Sequence, residues 1–390
     1  MEKSHVLYEQ DPELREFDAS VVSCRPGKNG LYYVALDRTA FYPEGGGQPF
    51  DTGRLGQARV VEVHEKDGEI LHYTDRELAA GIRVHGAIDW ERRQSHMQHH
   101  SGEHIFSGLV HSRFGYDNVG FHMGQEAVTI DFNGILTQGQ VRELEEAANR
   151  LVWADVPVEA WYPPAEELHT MDYRSKKEIQ GAVRIVRIPG GDTCACCGTH
   201  VSRTGQIGII KAVGLKKYKG GVRLEMVCGA RALEDYEKKQ EQVTRVSNLL
   251  SAKQGQISGA VEKLMEESAA LKRQAAGLYQ QIFRLRCGQL PEKDSPLLVF
   301  EEDMPPAQLR AFVTLLCQEK KGSVVLACSG HEGSYHYVLG SREEKAEGFT
   351  RNLNRLLRGK GSGKGLMAQG MFAAGREEIE GVWSQGAWKE

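Results

Sequence analysis

The strongest constraint in this chain is a pair of short histidine- and cysteine-bearing segments about a hundred residues apart. One reads Gln98-His99-His100-Ser101-Gly102-Glu103-His104; the other reads Cys194-Ala195-Cys196-Cys197-Gly198-Thr199-His200. On a helix, His100 and His104 stand one turn apart on the same face. Cys196 and His200 repeat that gap, and Gly198 between them lets the backbone turn tightly. Three imidazole nitrogens and one thiolate make a tetrahedral donor set that suits zinc. Ligands drawn from two distant segments would pin the fold and still sit in a cleft. Spacing alone leaves the register open. His96 and His100 have the same separation, and Cys194 or Cys197 could stand in for Cys196.

At 390 residues the chain is long enough for two or three domains, each with its own core. A hydrophobic content of 40% and a charged content of 26% are those of an ordinary soluble protein. The opening residues contain no apolar signal-peptide core, and no apolar run reaches bilayer length. Three of the eight cysteines fall within residues 194–197, a spacing for metal rather than disulfides, so a reducing, cytoplasmic setting is expected. Net charge is −4, yet basic residues cluster locally. Lys211, Lys216, Lys217, Lys219 and Arg223 form one group; Arg351, Arg355, Arg358, Lys360 and Lys364 form another. Each reads as a solvated face or as a phosphate-contacting patch, and composition does not choose.

Residues 1–90 read as short strands at 20–24, 31–36, 59–64 and 69–73, bounded by turn residues, which suggests a small β-barrel. Among them lies Phe41-Tyr42-Pro43-Glu44-Gly45-Gly46-Gly47-Gln48. Its three glycines permit positive φ and close backbone approach to a ligand, or else a mobile hairpin. A helix over 89–113 carries the histidine pair, and a second, amphipathic helix spans 138–154 with Val141, Leu144, Ala148 and Leu151 on one face. Strands are expected at 127–132, 158–162, 183–188, 207–211 and 222–227, which makes 91–230 an α+β domain. From Ala230 the helical spacing continues to Leu285, with Gly255 and Gly259 as interruptions, as in a helical hairpin or coiled coil. After Pro291 a β-α-β pattern opens a last domain. Its segment Arg358-Gly359-Lys360-Gly361-Ser362-Gly363-Lys364-Gly365 lacks the Gly-Lys-Ser/Thr ending of a P-loop, which leaves a phosphate nest or a flexible loop.

Taken together, the 41–48 segment, the His100/His104 pair, Cys196-Cys197-Gly198-Thr199-His200 and Val201-Ser202-Arg203-Thr204 resemble the editing half of alanyl-tRNA synthetase. They are still more similar to the free-standing AlaX-type alanyl-tRNA editing proteins. The last domain, with Gly361-Ser362-Gly363-Lys364-Gly365 and Met367-Ala368-Gln369-Gly370, resembles the DHH-associated domain that ends the synthetase. The likeness runs nearly end to end, as in the long AlaX form. It departs at Cys197, where the family usually has the first of two glycines.

This resemblance implies an α+β chain in four parts. They are a β-barrel with its glycine-rich loop at 1–90, a zinc-binding editing domain at 91–230, a helical hairpin or coiled coil at 231–290 and a C-terminal α/β domain at 291–390. The implied ligands are His100, His104, Cys196 and His200, with zinc as cofactor. The implied reaction is hydrolysis of mischarged tRNA(Ala), chiefly Ser-tRNA(Ala) and also Gly-tRNA(Ala). No segment reads as an aminoacylation domain, so aminoacylation is not expected. Gln48 would bond the ester or terminal ribose, Thr39 would read the serine hydroxyl, and Glu103 would be a supporting group or base unless it faces solvent. Lys216, Lys217, Lys219, Arg358, Lys360 and Lys364 would contact tRNA phosphates. A homodimer through 231–287 or the C-terminal domain is expected. The rival reading is a non-catalytic tRNA-binding protein with a structural zinc.

Overall fold

A computed structural model of the chain describes residues 4–175, 181–331, 333–343 and 345–389. The chain forms two compact units, Met1–Arg245 and Val246–Glu390. Among the described residues no helix is long and apolar enough to cross a membrane.

The first unit begins with six antiparallel strands closed into a barrel. Around the barrel they run Glu16–Pro26, Tyr32–Leu36, Glu69–Thr74, Ala58–Lys66, Gly53–Leu55 and Arg83–Ile88. The first and last strands pair through Phe17↔Gly86 and Ala19↔Val84, so no edge is left open. Phe17, Val34, Leu36, Phe41, Leu55, Val60 and Val63 fill the interior. Gly53–Leu55 and Arg83–Ile88 were not expected from the sequence, because each is short and lacks a β-rich run.

The histidine helix, Trp90–Phe114, follows directly and ends at Gly115 in the left-handed conformation, with φ 67°. It is buried on almost every side from Met97 to Val110. A four-stranded antiparallel sheet lies against it, in the order Ile210–Tyr218, Gly221–Cys228, Val128–Phe132, Asn118–Met123. Two glycines of the helix permit close approach by its neighbours. A Cβ at Gly102 would meet Cys228 Sγ at 2.6 Å, and one at Gly108 would collide with the carbonyl of Gly191. The helix Gln138–Trp153 starts with a capping box between Thr137 and Gln140 and buries Val141, Leu144, Ala148 and Val152. A three-stranded sheet, Glu159–Trp161, Ile185–Ile188 and Asp192–Ala195, leads into the Cys/His segment. The expected strand at 207–211 is instead a 3-10 turn, Thr204–Ile207, followed by the strand Ile210–Tyr218.

The helix Ala230–Leu250 runs across the limit between the units. In the second unit, helix Ile257–Gln289 contains Gly259 without a break, so only the turn around Gly255 interrupts the helical stretch. A five-stranded sheet follows, ordered Leu297–Glu301, Val324–His331, Ser334–Ser341, Met367–Phe372, Lys360–Lys364. Only its first pair is parallel, so the last domain is a mixed sheet rather than a purely α/β one. The glycine- and lysine-rich segment is the edge strand Lys360–Lys364, neither nest nor loop. Its glycines serve close packing. A Cβ at Gly361 would collide with the hydroxyl of Tyr337, and one at Gly370 with the carbonyl of Lys360.

Candidate metal centre and editing site

His100, His104, Cys196 and His200 come together, with one donor atom from each within 4.8 Å of the others. Cys196 Sγ lies 3.4 Å from His100 Nε2 and 3.5 Å from His200 Nε2. A tetrahedral zinc with Zn–S of about 2.3 Å and Zn–N of about 2.0–2.1 Å has S···N edges of about 3.5 Å. The donor set therefore fits zinc in both chemistry and size. Of the three clustered thiols, Cys196 occupies this position. Cys197 is exposed, and Cys194 groups instead with His104 and Asp192.

Hydrogen bonds hold the outer Nδ1 of His100 and of His200, and a carboxylate oxygen lies beside that of His104. His100 Nδ1 donates to Gln48 Oε1 at 2.8 Å, His200 Nδ1 lies 3.1 Å from Ser101 Oγ, and His104 Nδ1 lies 3.1 Å from Asp192 Oδ2. Such outer partners fix tautomer and ring plane. Burial presses the Cys196 thiol up, but His100 beside it and hydrogen bonds from the three imidazoles hold it well below the usual range. The sulfur is thus held as a thiolate, the form a metal would take. Burial, with His100 and His104 nearby, lowers His200 to about 3, which keeps it neutral, as a metal would need.

Gly198 acts by closeness rather than by a turn, since a Cβ there would run into the His100 ring. Its N–H points at Cys196 Sγ, 3.4 Å away. Arg184, almost fully buried, clamps the ligand loop by donating to the carbonyls of Cys196 and Gly198 at 3.1 and 3.0 Å. The glycine loop is a tight turn, Gly45↔Gln48, with Gly46 and Gly47 at φ 60° and 87°. It packs on Phe121, which stacks on His100 with centroids 5.3 Å apart.

Residues 183–247 match the threonyl and alanyl tRNA synthetase second additional domain, and residues 13–92 match the class II (A) tRNA synthetases. The alanyl-tRNA editing protein Aarsd1 of Danio rerio is 28% identical over 98% of this chain and 97% of its own length. The alanyl-tRNA editing protein AlaX-L of Pyrococcus horikoshii is 29% identical over 96% of each. The chain is similar to these alanyl-tRNA editing proteins over nearly its whole length. An alanine–tRNA ligase from Ignicoccus hospitalis is 36% identical over 69% of this chain, which spans only 31% of that ligase.

The other sequence candidates are placed as follows. Gln48 is fully buried, and its amide is engaged by protein. Oε1 accepts from His100 Nδ1 and from the Thr199 N–H at 3.2 Å, and Nε2 donates to Thr199 Oγ at 2.8 Å. Thr39 is also fully buried and lies 2.7 Å from His72 Nε2. Because His72 Nδ1 donates to the Val34 carbonyl, Thr39 gives its only proton to His72, and its oxygen accepts from the Phe41 N–H at 3.0 Å. Glu103 does not face solvent. It is fully buried, with Oε1 accepting from Ser107 Oγ at 2.6 Å and from Asn118.

Lys216 pairs with Glu225 at 2.5 Å, while Lys217 and Lys219 are exposed near the tip of their hairpin. Arg358 pairs with Glu378 at 2.7 Å; Lys360 and Lys364 are exposed. Arg358 and Lys360 line a cleft of about 600 Å³ with Tyr337, Gly361 and Ser362. Ser101, Arg184, Asp192 and Phe121 were not singled out from the sequence. Ser101 lies inside the histidine motif and was within reach; the others carry no local signal.

Proposed function

We propose that this chain is an aminoacyl-tRNA deacylase that edits mischarged tRNA(Ala) in trans, chiefly Ser-tRNA(Ala) and also Gly-tRNA(Ala), at a zinc-containing site in the cytoplasm. The observation that carries this reading is the four-donor cluster at zinc-like spacing, tied to the glycine loop through the buried Gln48. The logic of such an enzyme is chemical. A hydrophobic synthetic pocket rejects an isostere with an added hydroxyl by only roughly 10²-fold, so a second, hydrolytic sieve is needed.

The metal, when bound, would polarise the ester carbonyl or orient the terminal ribose. The chain's own residues do the rest. Gln48 orients His100 through Oε1, and its remaining N–H is the one offered to ester or ribose. Thr39 is the hydroxyl that would distinguish seryl from alanyl ester, working from its bond to His72. Glu103, with Ser107 and Asn118, supports the ligand helix from within. Lys216, Lys217 and Lys219, and separately Arg358, Lys360 and Lys364, would contact tRNA phosphates and set the salt dependence of binding.

A homodimer is part of the proposal, and the helix Ile257–Gln289 supports it. Leu264, Leu271, Leu278 and Leu285 recur every seven residues and are 54%, 65%, 52% and 70% exposed. Val261 and Ile282 lie on the same stripe. In a parallel pair Glu267 of one copy would face Lys272 of the other.

A second reading has its own observation. Four protein donors can close a tetrahedral site, which would make the zinc structural and the chain a tRNA-binding protein. Deacylation of Ser-tRNA(Ala) beside Ala-tRNA(Ala), by wild type and Cys196→Ala with metal content measured, separates the two. Loss of serine alone, abolished together with zinc in the variant, is expected. A zinc-loaded wild type that hydrolyses neither substrate would favour the structural reading.

A further inference from the structure

Of the three imidazoles in the cluster, His104 has a charged outer partner. Gln48 and Ser101 offer neutral oxygens to His100 and His200, whereas His104 Nδ1 faces the Asp192 carboxylate at 3.1 Å. That carboxylate is itself gripped from the far side. Arg174 Nε donates to Asp192 Oδ1 at 2.8 Å, and Arg174 Nη2 donates to Oδ2 at 2.7 Å.

The side chains of His104 and Asp192 are 3% and 2% exposed, and that of Arg174 is 14% exposed. The guanidinium opens onto a cleft of about 580 Å³ that Arg187, Tyr173 and Gly190 also line. The series therefore runs from solvent, through a bidentate ion pair, to the outer nitrogen of a metal ligand. Backbone bonds hold it in register. The Arg174 N–H donates to the Thr193 carbonyl, and the Ala195 N–H donates to the Arg174 carbonyl, both at 2.9 Å. Asp192 thus begins the strand that ends beside Cys196 and also touches the helix that carries His104.

We propose that the Arg174–Asp192 pair is a positioning device for His104. It fixes the ring's tautomer and plane so that Nε2 meets the other three donors. This rests on the reading of the cluster as a metal site. Asp192 is not itself a ligand in this arrangement, because a cation beside its oxygens would sit against the guanidinium. Arg174 keeps the carboxylate in the plane that His104 needs, since a bidentate fork allows little rotation.

The test uses the full-length, zinc-loaded protein. The zinc dissociation constant is measured by competition with a chromophoric chelator, and the visible spectrum of the cobalt-substituted form reports ligand geometry. Asp192→Ala should weaken zinc by about 10- to 100-fold, the range found for outer partners of metal-bound histidines. Asp192→Asn, which keeps an acceptor but loses the charge, should restore part of that loss. Arg174→Gln should shift affinity in the same direction by less than Asp192→Ala. Arg187→Gln, on the same cleft but paired with Glu159, should change nothing.

Folded Asp192→Ala protein that binds zinc within twofold of wild type overturns the proposal. If Asp192→Ala does not fold, unchanged affinity and unchanged cobalt spectra in both Asp192→Asn and Arg174→Gln overturn it instead. Zinc affinity is read apart from hydrolysis. A wild type without deacylase activity would sink the editing reading and leave this one standing; normal editing with unmoved zinc affinity in the variants would do the reverse.

Discussion

Gln48 and His100 are bonded across the interface between the barrel loop and the ligand helix, with Gln48 Oε1 2.8 Å from His100 Nδ1. The glycine motif and the histidine motif are thus one device, since the loop delivers the amide that sets a ligand's tautomer. Gln48→Ala should weaken zinc binding by about 10-fold or more, as outer partners of metal-bound histidines do. Chelator competition measures it, and wild-type affinity in a folded variant would confine Gln48 to substrate contact.

Gly198 tolerates no side chain, because its Cα faces the His100 ring. Gly198→Ala should displace His100 or the ligand loop. An expected consequence is a loss of deacylation on the order of 10²-fold, the cost of misplacing an active group by about 1 Å. Steady-state deacylation with metal content checks it.

The fully buried ion pair between Arg93 and Asp51 ties the barrel to the start of the ligand helix. Arg93 Nε reaches Asp51 Oδ2 at 2.9 Å, and the guanidinium also donates to the carbonyls of Pro12 and Ala40 at 2.9 and 2.6 Å. Asp51→Ala leaves that guanidinium buried without its counter-charge and should cost about 3–5 kcal/mol. Urea unfolding of both proteins measures the difference.

Acid should destabilise the fold through histidines that bind no metal. Burial lowers His72 to about 4 and His99 to about 4, from an ordinary 6.5. Below pH 6.5 the unfolded chain takes up protons that the folded chain refuses, so stability is complete above that value and falls toward pH 4. Each group should cost on the order of 2 kcal/mol at pH 5 relative to pH 7. His72→Gln should show a shallower fall between those two pH values in urea titrations; an unchanged slope would rule His72 out as a contributor.

The leucine stripe predicts a dimer. Leu271→Glu with Leu278→Glu should halve the mass seen by light scattering while leaving zinc content unchanged. A wild-type monomer at micromolar concentration would discard the coiled-coil seam.

Much of the site was legible because its motifs are local. Ligand spacing on a helix and the run from Cys196 to His200 are set by backbone periodicity, which a single sequence displays. The glycines were visible as glycines, but their reasons were not. Whether Gly198 makes a turn or admits a ring, and whether Gly361 makes a nest or an edge strand, depends on what lies opposite.

The sequence by itself determined which side chains could bind metal, the bounds of the helices Trp90–Phe114 and Gln138–Trp153 to within a residue, and that strands precede them. Only the tertiary structure decided the partners of the buried polar residues. It set Cys196, rather than Cys194 or Cys197, against the three imidazoles, turned Glu103 inward, gave Thr39 to His72, and set Asp192 between Arg174 and His104. The physical reason is that a buried polar atom must find its partner across the core. Such partners, here as far apart as Gln48 and Thr199, leave no periodicity in the chain to read.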